Sequence, residues 1–313
     1  MNQVYLDTAR LLIQVAPFVF AEGHFALKGG TAINLFVRDM PRLSVDLDLV
    51  FPDYRLARNE ALSCINEAIR RSAERLTARG YQTHTIGAVG AGETKLLVRN
   101  AGIEIKVEVN FVTRGTVYPV RAASLTPSAR TTLLADMEIP VVSLEDMYGG
   151  KLVAAMDRQH PRDRFDVMQL FAHEGITANI RRAFVIYLAC HNRPVHEVLF
   201  PTLKNIEWEY VHSFKGMTTK PVELAQLLAV RERMVHELQY GLDTDERSFL
   251  LSLAAGRPEW PLLGIAHAEH LPGMRWKLHN LTQLQHKNPG KFAAQAEALT
   301  QRLGQVSDPV NSA

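Results

Sequence analysis

Lys28-Gly29-Gly30-Thr31, followed by Arg42-Leu43-Ser44-Val45-Asp46-Leu47-Asp48-Leu49, sets a glycine pair ahead of a polar helix start. Two carboxylates then stand two residues apart in an apolar run. In an extended strand residues i and i+2 point to one side. Asp46 and Asp48 therefore share a face, with Val45, Leu47 and Leu49 on the other. Two close carboxylates raise each other's pKa, and a divalent cation relieves the repulsion. Mg²⁺ takes oxygen ligands and is often held by one or two carboxylates together with substrate phosphates. The glycine pair lets a phosphate approach backbone N–H groups at a helix start. It is not a Walker P-loop, because the following Lys-Ser/Thr and its spacing are missing. The stretch reads as a metal-dependent phosphate-handling site.

Working outward, 25–28 reads as a short strand into the glycines, and Thr31 as N-cap of a helix over 32–38. The carboxylate strand spans 44–51. An amphipathic helix is expected over 3–15, and another over 56–79 ending at Gly80. Strand-like segments follow at 81–86, 94–99 and 103–112. Pro119 and Pro140 bound a loop-rich stretch, with a short strand at 139–142. From Ser143 helices dominate, at 144–159, 162–174 and 178–190, then to about 303, with a frayed end over 305–313. The expected fold class is α/β (α+β), a mixed-sheet domain over 1–142 followed by an all-helical half over 143–313.

The chain has 313 residues, 47% of them hydrophobic, which supports a sizeable core and two domains. A net charge of +2 excludes a strongly basic nucleic-acid coat but leaves room for a local basic patch. Cys64 and Cys190 are the only cysteines, too few for a disulfide framework or thiolate metal site. A reducing cytoplasm is the expected location. Residues 1–10 lack the features of a secretory signal. No run of eighteen apolar residues occurs, so no membrane span is expected. His191, His196, His267 and His270 lack the accompanying acidic motif of a transition-metal site. Trp208, Trp260 and Trp276 are expected in the core.

Ile103-Glu104-Ile105-Lys106-Val107-Glu108-Val109-Asn110-Phe111 alternates strictly. Glu104, Lys106, Glu108 and Asn110 share one face, and the apolar residues should pack on helices. Glu108 is then a candidate third carboxylate beside Asp46 and Asp48; a solvated polar strand face is the alternative. A second block runs from Ser143 through Gly149, Gly150, Lys151, Arg158, Arg162, Asp163 and Asp166. Lys151 and Arg158, seven apart, lie on one helical face. The two glycines weaken a helix by about 1 kcal/mol each, which points to close approach by a backbone or ligand. Pro161 ends one helix and opens the next, and Arg162 is placed to pair with Asp166 at i,i+4. Either this is a salt-bridged helix pair, or Lys151 and Arg158 neutralise a triphosphate. In the second case Asp166 accepts a proton from an attacking hydroxyl or orients Lys151.

Together these residues resemble the nucleotidyltransferase toxins of the AbiEii/AbiGii type, a branch of the DNA polymerase β superfamily that includes the MenT toxins. The matching motifs are Leu27-Lys28-Gly29-Gly30-Thr31-Ala32 with Arg42-x-Ser44-x-Asp46-Leu47-Asp48-Leu49, then Lys106-Val107-Glu108, then Gly150-Lys151-Leu152-Val153-Ala154-Ala155 running into Arg158 and Arg162-Asp163-x-x-Asp166. They cover about residues 20–175. Asp157 and Val167 depart from the family pattern. The resemblance implies a nucleotidyltransferase fold, with Asp46, Asp48 and Glu108 on Mg²⁺ or Mn²⁺. It implies Gly29, Gly30, Thr31, Arg42, Ser44, Lys151, Arg158 and Asp163 on the nucleoside triphosphate, and Asp46, Asp48, Lys151 and Asp166 in catalysis. It further implies nucleotide transfer to an RNA acceptor such as the tRNA 3′ end, with growth arrest countered by a cognate antitoxin, in toxin–antitoxin or phage-defence systems. Arg164, Arg181 and Arg182 join Lys151, Arg158 and Arg162 as candidate basic residues for RNA.

Two other classes compete. Asp46-Leu47-Asp48-Leu49-Val50 formally fits the nucleophile loop of a haloacid-dehalogenase-like phosphatase. That motif usually follows a long apolar strand, whereas Pro41-Arg42-Leu43-Ser44 precedes Asp46 here. A nucleotide-binding interaction protein without turnover is the third reading.

Overall fold

A computed structural model describes residues 3–88 and 92–307. They divide into two compact units. One comprises the chain up to Ser143 together with Phe214–Val222, and the other comprises Leu144–Ser213 and the chain from Glu223 onward. The first contains α1 (Gln3–Phe20), β1 (Ala26–Lys28), α2 (Gly29–Ala32), β2 (Asp46–Val50), α3 (Arg58–Thr77), β3 (Gln82–Ala88), β4 (Gly92–Asn100), β5 (Ile103–Asn110), β6 (Arg121–Ser124), α4 (Pro127–Leu133) and β7 (Glu138–Val141). The strands form one mixed sheet in the order β3-β4-β5-β2-β1-β7-β6. β2 runs parallel to β5 and β1 to β7, and the other neighbours are antiparallel.

Period-two alternation gives this sheet two unlike faces. Leu47 of β2 pairs with Val107 of β5, which pairs with Leu96 of β4, and Leu27 of β1 pairs with Leu49. All five are fully buried, and α1 and α3 pack on this sheet and on each other. Each such side chain contributes about 1.5–3 kcal/mol relative to exposure. The other face carries the polar partners of the same strands, described below.

The glycine pair differs from the expectation. Thr31 does not cap a helix; α2 begins at Gly29, with Lys28 in extended backbone at its start, and continues as a π turn over Ile33–Val37. Thr31 sits inside the helix because its hydroxyl is drawn to the chain of β2. The stretch expected to be loop-rich adds β6 and α4. Both are too short to display a periodicity. The assignment of Phe214–Val222 to the first unit was not expected either. Met217 accepts a hydrogen bond from the Leu43 amide, Thr219 donates to Pro41, and Thr218 bridges Arg42. This return clamps the loop that leads into β2.

The second unit is helical: α5 (Leu144–Asp157), α6 (Pro161–Ala172), α7 (Ala178–Ala189), α8 (Val195–Leu199), α9 (Glu207–Ser213), α10 (Leu224–Tyr240), α11 (Thr244–Ala254), α12 (Pro272–Lys287) and α13 (Pro289–Ser307). The backbone approach expected at Gly149 is realised against α7. A Cβ there would lie 2.7 Å from that of Ala183 and 2.8 Å from the Phe184 nitrogen, whereas nothing stands within 4 Å of one at Gly150. Of the end expected to fray, residues 305–307 complete α13, and 308–313 lie outside the described residues. Among the described residues no helix is long and apolar enough to cross a membrane. Two tryptophans leave the expected core: Trp208 is 66% exposed and Trp276 49%. Trp208 stacks on His212 one turn along α9, a helix with no buried residue.

Candidate active site

In the first unit the glycine turn and the aspartate strand interlock. Gly29 adopts φ +74°, and a Cβ on it would stand 2.7 Å from Oδ2 of Asp48. One on Gly30 would meet Nη2 of Arg42 at 2.6 Å and Oγ of Ser44 at 3.0 Å. Only glycine permits both the left-handed backbone and the close approach. Thr31 donates its hydroxyl to the Asp46 carbonyl at 2.5 Å and lies 2.9 Å from Oγ of Ser44. Arg42 donates to the Leu43 carbonyl at 2.9 Å. Thr31, Arg42 and Ser44 are all buried. The Thr31 hydrogen bonds tie the glycine turn to β2, and Arg42 and Ser44 close on Gly30, so all three brace the turn from the inside.

Asp46 and Asp48 share the polar face, as alternation requires. Register extends that face across four strands. Asp48 pairs with Glu108 of β5 on one side and Lys28 of β1 on the other, Glu108 pairs with Lys95 of β4, and Asp46 pairs with Lys106. Glu108 thus stands directly beside Asp48. Its carboxylate, however, is bound by Lys106 at 2.9 Å and Lys95 at 3.4 Å. Burial favours its neutral form, but the two lysines outweigh that and hold its pKa below the usual glutamate value. Among the described residues no three His, Cys, Asp or Glu side chains form a metal-holding cluster. The expectation of Glu108 as a third ligand therefore meets a carboxylate already engaged by lysines. The face nonetheless suits a hard cation, since its donors are carboxylate oxygens and a cation is drawn to them. The bond to Glu108 raises the Lys106 pKa, and the charges of Asp46 and Asp48 add to it.

The second unit gathers the Lys/Arg-Asp-x-x-Asp residues at the junction of α5 and α6. His160 caps α6 by accepting the Arg162 amide on Nδ1 at 3.1 Å. Burial, with Arg162 adding, depresses the His160 pKa to about 4, so the ring is neutral. This positions Asp163 and Asp166 one turn apart. Lys151 Nζ lies 2.8 Å from Asp163 and 2.9 Å from Asp166. Arg158 reaches Asp163 at 3.0 Å while its own side chain stays 62% exposed. Burial works against the charged form of Asp163, yet Lys151 and Arg158 prevail and lower its pKa. A general base must touch the hydroxyl it deprotonates. Asp166 is wholly buried against Lys151, a geometry for orienting that lysine.

Several basic residues have other tasks than the expected one. Arg162 is not seen on Asp166, whose place is taken by Lys151. Arg164 is fully buried and donates to Gln159 at 3.4 Å, with burial lowering its pKa to about 10. Arg181 pairs with Glu246 at 2.6 Å and Asp243 at 3.1 Å. Sequence reasoning gave no role to Lys28, Lys95 or Lys106. Alternation shows which side of a strand a residue takes, but not which residue of another strand stands next to it.

Comparison with solved structures supplies the fold. The chain superposes on MenT4, a nucleotidyltransferase toxin from Mycobacterium tuberculosis H37Rv, with a TM-score of 0.59 over 89% of this chain and 94% of that one. At 17% identity the likeness establishes the fold, that of a nucleotidyltransferase. The sequence itself supplies the family. Residues 10–280 match the nucleotidyl transferase AbiEii toxins of type IV toxin–antitoxin systems, and the chain belongs to that family. No curated protein sequence matches it. The phosphatase reading falls with this assignment, and with the geometry: Asp46 opens β2 and Asp48 lies within it, instead of following a strand.

Proposed function

We propose that this protein transfers a nucleotide from a nucleoside triphosphate to an RNA acceptor, the 3′ end of a tRNA, in the cytoplasm. Translation and growth stop in consequence, and a cognate antitoxin restrains the activity. The observation that carries this reading is the Asp46 and Asp48 pair on a half-open polar sheet face, with Gly29 pressed on the Asp48 carboxylate. Asp46 and Asp48 would hold Mg²⁺ or Mn²⁺. The ion would stabilise charge on the attacking and leaving oxygens of an in-line displacement at the α-phosphate. The backbone at Gly29 and Gly30 presents N–H groups to the triphosphate, kept in place by Thr31, Ser44 and Arg42. Arg158, 62% exposed beside Asp163, is an accessible cation for phosphate, and Asp163 and Asp166 fix Lys151 in one orientation.

The test incubates purified protein with each labelled nucleoside triphosphate, Mg²⁺ and total tRNA, followed by gel analysis, alongside Asp46→Asn. Labelled tRNA is expected with the unsubstituted protein alone, and growth inhibition should vanish with the label. Undiminished labelling or toxicity in Asp46→Asn would overturn the role of this face. Absence of labelled RNA with every triphosphate would overturn the acceptor.

A further inference from the structure

We infer that Lys106 is a resident countercation of the carboxylate face, seated there in the metal-free protein and expelled when a divalent cation binds. The inference rests on the proposed metal role of Asp46 and Asp48. Three carboxylates occupy adjoining positions on β2 and β5: Asp46, Asp48 and Glu108. Left to themselves they would repel one another. Lys106 stands at the register position of Asp46 and two residues before Glu108, so it shares their face. Its ammonium lies 2.9 Å from the Glu108 carboxylate, and the fields of Asp46 and Asp48 help to keep it charged.

Exposure and chemistry make this cation displaceable. The Lys106 side chain is 39% exposed and that of Glu108 34%, so neither is locked in the core. Lysine carries one compact, strongly hydrated charge on a flexible stem, and it can withdraw into water without leaving a buried charge behind. A divalent cation on Asp46 and Asp48 brings twice that charge to the same polar face. Lys106 therefore competes with the metal, keeping the face neutralised without it and weakening metal binding by about the interaction of one unit charge. Lys95 reaches the same Glu108 carboxylate at 3.4 Å from β4, without standing at the register position of Asp46, and is the natural comparison.

Binding of Mn²⁺ to the full chain without nucleotide, followed by the electron paramagnetic resonance of the free ion, tests this. Lys106→Met should bind Mn²⁺ about tenfold tighter than the unsubstituted protein. Lys106→Gln should follow it, and provides a second neutral variant should the first fold poorly. Lys106→Arg should bind no tighter than the unsubstituted protein, and Lys95→Met should stay within about twofold. In a chelator the neutral variants should melt below the unsubstituted protein, and Mn²⁺ should raise their melting temperature by more. If Mn²⁺ binding depends on Asp46 but is equal or weaker in both neutral variants, the inference is overturned and the metal site stands. An equal gain in Lys95→Met also overturns it. If no variant shows Asp46-dependent binding, the metal reading fails and the inference with it.

Discussion

Replacing Lys151 by Met asks whether one ammonium sustains the acidic pair of the second unit. Its Nζ contacts Asp163 at 2.8 Å and Asp166 at 2.9 Å, and the side chains of the three are 7%, 4% and 0% exposed. Removing one member of a buried ion pair costs about 3–5 kcal/mol, because the remaining charge stays out of water. Here two carboxylates lose the same partner, while Arg158 stays on Asp163 from the solvent side. Against a total stability of about 5–15 kcal/mol, a loss of about 3–5 kcal/mol is a large share. The pH dependence has a definite sign. Asp163 has a lowered pKa in the folded protein: burial opposes the shift and Lys151 with Arg158 outweighs it. A carboxylate of this kind contributes stability above its unfolded pKa of about 3.9, lost as pH falls through the folded value. The deficit of Lys151→Met should be full at pH 7 and shrink in acid below about pH 4. Urea unfolding by tryptophan fluorescence measures it, since Trp208, Trp260 and Trp276 all belong to the second unit. A deficit under about 1 kcal/mol at pH 7, far below the usual cost, or one that widens in acid, would refute the reasoning.

Two matched glycine pairs give further tests. Gly29→Ala should lower nucleotide transfer by at least about tenfold, since an L residue in the left-handed region costs about 1–2 kcal/mol and its Cβ also displaces the Asp48 carboxylate. Gly80→Ala, at φ +87° with nothing within 4 Å, should lose stability alone and keep transfer; equal activity in the two variants would contradict the bracing role of the turn. Gly149→Ala should destabilise the second unit by about 1–3 kcal/mol through overpacking against α7, although alanine is the better helix former. Gly150→Ala, which meets open space, should stabilise it by up to about 1 kcal/mol; urea midpoints moving in the same direction would sink the packing argument.

Alternation made the core of β5 legible in advance, with Ile105, Val107 and Val109 buried as expected, although the strand stops at Asn110 and Ile103 and Phe111 are only half-buried. The reason is that one face of a strand packs on helices and leaves a period of two in the sequence. The length of α3 was legible for the same kind of reason, seven buried residues at helical spacing closed by Gly80. The four-residue β6 and the seven-residue α4 offered no such signal. Thr31 was misread because a threonine near a helix start ordinarily caps it, whereas here a carbonyl of a distant strand competes for the hydroxyl. Trp208 was misread because large aromatics are usually buried, and nothing local says that α9 covers no core.

The sequence by itself determined that Asp46 and Asp48 share a face behind a glycine turn, that Lys151 lies on a helix, although α5 stops at Asp157, short of Arg158, and which family motifs these residues spell. These are matters of backbone period and local spacing, which a strand or helix imposes on its own residues. Tertiary structure decided which of them meet. It set Glu108 beside Asp48 yet gave its carboxylate to Lys106 and Lys95. It turned Thr31, Ser44 and Arg42 inward as braces, and it closed Asp163 and Asp166 around Lys151. Such pairings depend on strand register and on the burial of charge between elements far apart in the chain, and both are settled only when the chain packs.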